Sequence, residues 1–209
     1  AQLNPELATI VLDEIGKTDI FTGVKKMDFE QAIDQGMIVM IGDEVEEAYL
    51  DEVQKQCVNP ELAKEKGDTL KFVYTPFHGA GNKPVRKILK RIGFNNVVVV
   101  KEQELPDGDF PTVESPNPEN KEGFKLAIGY AKECGADLIV GTDPDSDRVG
   151  ILVKNDKGEY VTFTGNQVGT LLSEYILSAL AEKDAVPKDG YIVKTIVTTN
   201  IIQAICDAY

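Results

Sequence analysis

The sequence is constrained most by a strand–loop–helix–strand pattern between residues 70 and 100. Leu70–Tyr74 and Val97–Val100 are short runs of apolar and β-branched residues, which are typical of buried strands. Between them, Pro84 opens a segment with apolar residues at helical spacing, and Gly93 follows as a helix-ending glycine does. Two strands joined through a helix lie parallel in one sheet. The pattern therefore predicts a parallel βαβ unit.

The rest of the chain continues this alternation of strands and helices. Further strands are predicted at these ranges: Asp137–Val140, Val149–Val153, Tyr160–Phe163 and Tyr191–Ile196. Further helices are predicted at these ranges: Asp43–Gln56, Phe124 to about Gly135, and about Gly165 to Glu182. We therefore expect an α/β fold with a mixed, mainly parallel sheet flanked by helices. The beginning of a second, similar α/β domain is expected after it.

Charge and cysteine content exclude several classes of protein. The 209 residues contain 22 Lys and Arg against 35 Asp and Glu, for a formal net charge of -13. Binding to nucleic acid or to an anionic membrane surface needs clustered cations, so neither partner is expected. The apolar runs are too short to span a bilayer. The 3 cysteines are widely spaced without a CxxC pair, which predicts reduced thiols and a cytoplasmic location.

An acidic segment carries the strongest chemical signal. Asp143, Asp145 and Asp147 alternate between two predicted strands, and Arg148 follows them directly. Three carboxylates on a short loop repel one another unless a cation lies between them, and Mg²⁺ and Ca²⁺ prefer such oxygen ligands. The loop also follows a buried strand, where α/β sheets bind their ligands. These residues are therefore candidate metal ligands, and a solvated acidic turn is the alternative.

An EF-hand is the rival explanation of the same spacing. Counted from Asp143, the sixth position should be Gly and is Arg148, and the twelfth should be Glu and is Lys154. The loop also lies between predicted strands rather than helices. These departures count against an EF-hand.

A second candidate is the glycine-rich turn Thr75–Gly81, where the first predicted strand passes into a helix. Such a turn is a weak signal for an anion site, and it lacks the spacing of a P-loop or a dinucleotide-binding motif. The glycines are at least as well explained by a tight turn. His78, the only histidine, is either a loop anchor or an acid–base group.

Several segments together resemble the α-D-phosphohexomutase superfamily, which includes phosphoglucomutases and phosphomannomutases. Gly141–Gly150 is similar to its metal loop Asp-Gly-Asp-Gly-Asp-Arg, with Pro144 and Ser146 in place of the two glycines. Thr75–Gly81 resembles the strand-to-helix turn of its second domain. The other matching segments, in chain order, are Asp19–Val24, Ile41–Tyr49, Pro106–Thr112, Ser115–Glu119, Gly165–Gly169 and Val193–Thr195.

This resemblance implies a four-domain, Mg²⁺-dependent enzyme that interconverts hexose 1-phosphate and hexose 6-phosphate. A phosphoserine donates its phosphate, a hexose bisphosphate forms, and the other phosphate returns to the serine. By position, Asp143, Asp145 and Asp147 would hold Mg²⁺. Arg148 would face the phosphoryl group, and Lys194 would reach the substrate or its phosphate. Glucose phosphates are the expected substrates, followed by mannose phosphates and then by pentose or glucosamine phosphates.

The serine loop of the family, Ser-His-Asn-Pro, does not occur in the sequence, and neither do its sugar-reading and distal phosphate loops. We therefore expect a fragment without activity of its own, whose partners are the remaining domains. Residues 1–42 would be the end of the first domain and a linker, 43–156 the metal-binding second domain, and 157–209 the start of a truncated third. A non-catalytic module that binds divalent cations remains the alternative.

Overall fold

The computed structural model describes residues 3–209, which separate into two compact units with a boundary between Val45 and Glu46. The domain bounds predicted from the sequence stay predictions. The first unit contains helix α1 at Pro5–Lys17 and helix α2 at Phe29–Asp34.

Both helices of the first unit begin at side-chain caps. The Asn4 carboxamide oxygen accepts a hydrogen bond from the Leu7 N–H at 2.8 Å, and the Asp28 carboxylate accepts one from the Gln31 N–H at 3.1 Å. Such caps satisfy N–H groups that the first helical turn leaves unpaired. No residue of α1 is buried.

The second unit is built on a five-stranded mixed sheet with the order β2-β1-β3-β4-β5. The strands are β1 at Phe72–Thr75, β2 at Val97–Val99, β3 at Leu138–Thr142, β4 at Val149–Lys154 and β5 at Tyr160–Thr162. Strand β1 pairs in parallel with β2 and β3, whereas β3–β4 and β4–β5 are antiparallel. The predicted α/β fold with a mixed sheet is confirmed.

Further helices occur before, between and after these strands. They are α3 at Asp43–Gln54, α4 at Pro60–Lys66, α5 at Asn82–Arg91, α6 at Lys125–Cys134, α7 at Gly165–Ala181 and α8 at Ile201–Ala208. The predicted βαβ unit is thus β1–α5–β2. Helix α6 ends at Gly135, whose φ of 67° is a left-handed conformation that suits glycine at a helix C-terminus.

The core lies between α6 and the sheet. Phe77 and Phe124 are fully buried, and their rings meet edge to face at 5.1 Å. Strand β3 passes beneath them at Gly141, where a Cβ atom would lie 2.6 Å from Cε1 of the Phe124 ring. The absence of a side chain at Gly141 therefore lets two aromatic rings pack directly on the strand.

The prediction of a strand at Tyr191–Ile196 is wrong. This segment has no regular secondary structure, and the Ile196 side chain is 98% exposed. A β-branched run forms a strand only when a neighbouring strand supplies its hydrogen bonds. Within the residues that the structure describes, no helix is both long and apolar enough to cross a membrane.

Candidate metal centre

The acidic loop, residues 143–148, connects the antiparallel strands β3 and β4. Thr142 and Val149 are paired at its base, so both of its ends are held by the sheet. Within the loop, the Asp143 N–H donates to the Arg148 carbonyl at 3.3 Å, and the Ser146 N–H donates to the Asp143 carbonyl at 3.0 Å. These bonds hold the chain in a tight turn, and the turn brings the alternating carboxylates towards one another.

Asp143 and Arg148 form a charged pair across the base of the acidic loop. The Asp143 carboxylate is 1% exposed and accepts from the Arg148 backbone N–H at 3.0 Å and from Arg148 Nε at 2.8 Å. Burial would raise the pKa of Asp143, but it is outweighed by these two hydrogen bonds together with a bond from Asp147 and the positive charge of Arg148, so that pKa lies below its ordinary value. Asp143 is therefore held as a carboxylate.

The other two carboxylates are exposed at the mouth of the same loop. Asp143, Asp145 and Asp147 each place one carboxylate oxygen within 4.8 Å of a carboxylate oxygen of both other residues. The pKa of Asp147 is raised, first by a hydrogen bond shared with Asp143 and then by the negative charge of Asp145. Repulsion among the three carboxylates thus disfavours the state in which all three are ionised, and a bound cation would relieve that repulsion.

This donor set fits a hard divalent cation. All three side chains offer carboxylate oxygens, which Mg²⁺ and Ca²⁺ prefer. The bonds from Arg148 do not exhaust Asp143, because each carboxylate oxygen has two lone pairs. The flanking elements are strands and not helices, so the loop is not an EF-hand.

The two predicted cationic site residues differ in their positions. Arg148 lies in the acidic loop beside Asp143, as the sequence predicts. Lys194 lies in the irregular segment before α8, where its ammonium group donates to the Thr198 carbonyl at 3.2 Å and to Asn200 Oδ1 at 3.1 Å. In this conformation, Lys194 is engaged by its own segment and not by the acidic loop.

His78 is held on both sides of its ring. Nδ1 lies 3.2 Å from the Leu105 carbonyl oxygen, and Nε2 lies 2.9 Å from Thr112 Oγ1. A carbonyl oxygen only accepts, so Nδ1 carries a proton, and Nε2 lies within hydrogen-bond distance of the Thr112 hydroxyl. The geometry favours a loop anchor over an acid–base group.

Gln103 belongs to the same buried network and was not identified from the sequence. Its side chain accepts from Thr75 Oγ1 at 2.6 Å and donates to Thr112 Oγ1 at 3.1 Å. Gln103 is fully buried within a short 3₁₀ turn, and a single glutamine there has no sequence signal that marks such a role. The network ties the chain after β1 to the chain after β2.

Comparison with known proteins identifies the family. Residues 47–158 match the family model described as phosphoglucomutase/phosphomannomutase, alpha/beta/alpha domain II. This match covers more than half of the chain and includes the whole acidic loop. The chain belongs to the phosphoglucomutase/phosphomannomutase family.

Curated relatives carry several phosphomutase names. The chain is 34% identical over 202 residues to a phosphoglucomutase of Staphylococcus saprophyticus, covering 97% of this chain and 35% of that protein. It is 30% identical over 183 residues to a phosphomannomutase of Mycoplasmoides pirum, covering 88% and 32%. It is 34% identical over 161 residues to a human phosphopentomutase, covering 75% and 26%. The chain thus spans about a quarter to a third of the length of these relatives.

Solved structures support the fold. A structure from the phosphomannomutase family, from Thermus thermophilus, aligns with a TM-score of 0.50 at 22% identity. It covers 66% of this chain and 29% of the other. At that identity the likeness concerns the fold alone.

Proposed function

We propose that this chain is the metal-binding part of a phosphohexomutase that interconverts hexose 1-phosphate and hexose 6-phosphate. The observation that carries the proposal is the convergence of three aspartates beside Arg148, on a loop inside the region that matches the family. Phosphoryl transfer depends mainly on positioning and on neutralising charge, and such a loop is suited to both.

In this proposal, Asp143, Asp145 and Asp147 hold Mg²⁺. The bound ion would neutralise negative charge on the phosphoryl group as it is transferred. Arg148 keeps Asp143 ionised through Nε, and its guanidinium carries four further N–H donors that suit phosphoryl oxygens. Lys194 would reach the substrate after leaving its contacts with Thr198 and Asn200.

The phosphoserine that donates the phosphate is proposed to lie outside residues 1–209. The sequence contains no Ser-His-Asn-Pro loop, and the chain corresponds to about a third of the Staphylococcus saprophyticus phosphoglucomutase. We therefore expect the bisphosphate intermediate to form only when other domains complete the site.

Glucose phosphates are the proposed substrates, and mannose phosphates are the next alternative. The names of the relatives include phosphoglucomutase, phosphomannomutase and phosphopentomutase, so they support a phosphomutase without choosing the sugar. A cytoplasmic location is part of the same proposal, supported by three unpaired cysteines.

The metal site is tested by titrating the 209-residue chain with Mn²⁺ and measuring free Mn²⁺ by electron paramagnetic resonance. Asp145→Asn should raise the apparent Kd at least about tenfold, because even indirect partners of metal ligands are worth about 10- to 100-fold in affinity. Asp156→Asn is the matched control, since Asp156 is an exposed carboxylate in the β4–β5 turn. Equal weakening by both variants would mean diffuse binding to surface carboxylates.

The reaction is tested in two steps. The isolated chain with glucose 1-phosphate, glucose 1,6-bisphosphate and Mg²⁺ should form no glucose 6-phosphate. A polypeptide that joins residues 1–209 to the remaining family domains should form it, and Asp145→Ala should abolish most of the turnover. Specific Mn²⁺ binding without turnover in that folded polypeptide would favour the non-catalytic cation-binding module.

A further inference from the structure

Two neighbouring loops begin at the carboxyl ends of adjacent parallel strands, at the same end of the sheet. Strands β1 and β3 are parallel neighbours, with Thr75 opposite Gly141. The chain after β1 forms the glycine loop, residues 76–81, and the chain after β3 enters the acidic loop. Parallel strands bring the segments that follow them together, so the glycine loop lies against the acidic loop.

The two loops touch through their backbones. The Ala80 N–H donates to the Pro144 carbonyl at 2.8 Å. A Cβ atom on Gly79 would lie 2.3 Å from Pro144 Cα and 2.5 Å from the Pro144 carbonyl oxygen. These are backbone atoms that no side-chain rotation can clear, so a side chain at position 79 would push the acidic loop away.

A second close approach lies on the other side of Asp145. A Cβ atom on Gly81 would lie 2.5 Å from Ser146 Oγ and 2.7 Å from the Tyr74 hydroxyl. Ser146 can rotate away, but the Tyr74 hydroxyl is buried and hydrogen-bonded to Thr142, whose Oγ1 would lie 2.8 Å from the same Cβ atom. Thr142 is the last residue of β3 before the acidic loop, so a side chain at position 81 would disturb that loop at its base. The two glycines thus contact the residues immediately before and after Asp145.

The glycine loop is itself firmly held. His78 is 5% exposed and is anchored at both ring nitrogens, and its backbone N–H donates to the Gln103 carbonyl at 3.0 Å. Phe77 and His78 have φ values of 45° and 62°, a left-handed conformation that non-glycine residues keep only when their surroundings impose it. The loop can therefore act as a fixed support for its neighbour.

We infer that Gly79 is a positioning residue for Asp145, supported by the second close approach at Gly81. The backbone contact with Pro144 sets where Asp145 leaves the loop, and so sets whether its carboxylate meets those of Asp143 and Asp147. This inference rests on the proposed metal site. It adds to that site a backbone contact from the glycine loop, which contributes no ligand of its own. Gly79 lies about 65 residues before Pro144 in the chain.

The test compares Gly79→Ala with Gly108→Ala, a loop position where a Cβ atom meets nothing within 4 Å. Mn²⁺ affinity is measured by electron paramagnetic resonance well below the Tm, and far-UV circular dichroism checks the fold. Gly79→Ala should weaken Mn²⁺ binding about tenfold, in the range of indirect partners of metal ligands. Gly108→Ala should bind as the wild type does.

A folded Gly79→Ala chain with wild-type affinity overturns the inference, even if its Tm falls, because a merely structural role changes stability alone. Where Gly79→Ala does not fold, Gly81→Ala decides: weaker binding supports the positioning role, and unchanged binding overturns it. A wild-type chain that binds no Mn²⁺ refutes the metal site itself. Failure of the positioning inference alone looks different, because the wild-type and Gly79→Ala chains would then both bind Mn²⁺, with equal affinity.

Discussion

The acidic loop and the segment Tyr191–Asn200 show how differently two short stretches with candidate site residues can be held. The acidic loop is fixed at both ends by paired strands and is supported by the glycine loop. Tyr191–Asn200 also carries a predicted site residue, Lys194, but it forms no strand, and its apolar side chains at Val193 and Ile196 are largely exposed.

The difference shows that residue type alone does not position a functional group. Lys194 and Arg148 are both cations in matching motifs, yet only Arg148 is placed by a neighbouring pair of strands. A site residue is well defined where the hydrogen bonds of paired strands fix the backbone on both sides of it.

The largest expected contrast between the two regions is in their contribution to stability. Phe124→Ala removes a fully buried ring that packs on β3 at Gly141, just before the acidic loop. It should lower the free energy of unfolding by about 3–5 kcal/mol. Ile196→Ala, at a side chain that is 98% exposed, should change it by less than about 0.5 kcal/mol. Urea unfolding measures both. Comparable losses would mean that the 191–200 segment is packed as firmly as the core.

A smaller contrast concerns the two cations. Arg148→Ala should lower the Tm, because it leaves the buried Asp143 carboxylate without its guanidinium partner. Lys194→Ala removes two hydrogen bonds of a half-buried lysine in an irregular segment and should change the Tm little. Differential scanning calorimetry at neutral pH compares them. A lower Tm for Lys194→Ala than for Arg148→Ala would show that the 191–200 segment depends on its cation more than the acidic loop does.

The smallest expected effect is a gain in stability within the acidic loop. Ser146 has a φ of 61°, a left-handed conformation that costs a non-glycine residue about 1 kcal/mol. Ser146→Gly should therefore raise the free energy of unfolding by up to about 1 kcal/mol. Asp184→Gly, at a φ of 56°, should gain less because aspartate tolerates this conformation better. Chemical unfolding of both variants checks the order, and a loss in Ser146→Gly would contradict it.

The local parts of the site were predictable from the sequence. Strands β3 and β4 are recognisable from apolar runs, and the aspartates alternate on the short loop between them, so their convergence needed no long-range information. The position of Ser146 in a left-handed conformation also agrees with the glycine that the family motif has there.

The long-range parts could not be predicted in the same way. The contact of Gly79 with Pro144 depends on β1 and β3 becoming neighbours, and a glycine-rich turn does not indicate what will lie against it. Tyr191–Ile196 has the composition of a strand, but strand formation depends on a partner as well as on composition. Gln103 acquires its role only when Thr75 and Thr112 are brought to it.

The acidic loop, supported by the glycine loop, is expected to bind one divalent cation. Titration of the ¹⁵N-labelled chain with Mg²⁺, followed residue by residue in amide NMR spectra, tests this expectation most directly. We predict saturable shifts confined to the acidic loop and to residues 79–81, with no response in Tyr191–Asn200. In Asp145→Asn the same shifts should require Mg²⁺ concentrations at least about tenfold higher. Shifts spread over the exposed carboxylates of the whole chain, and unchanged in Asp145→Asn, would contradict it.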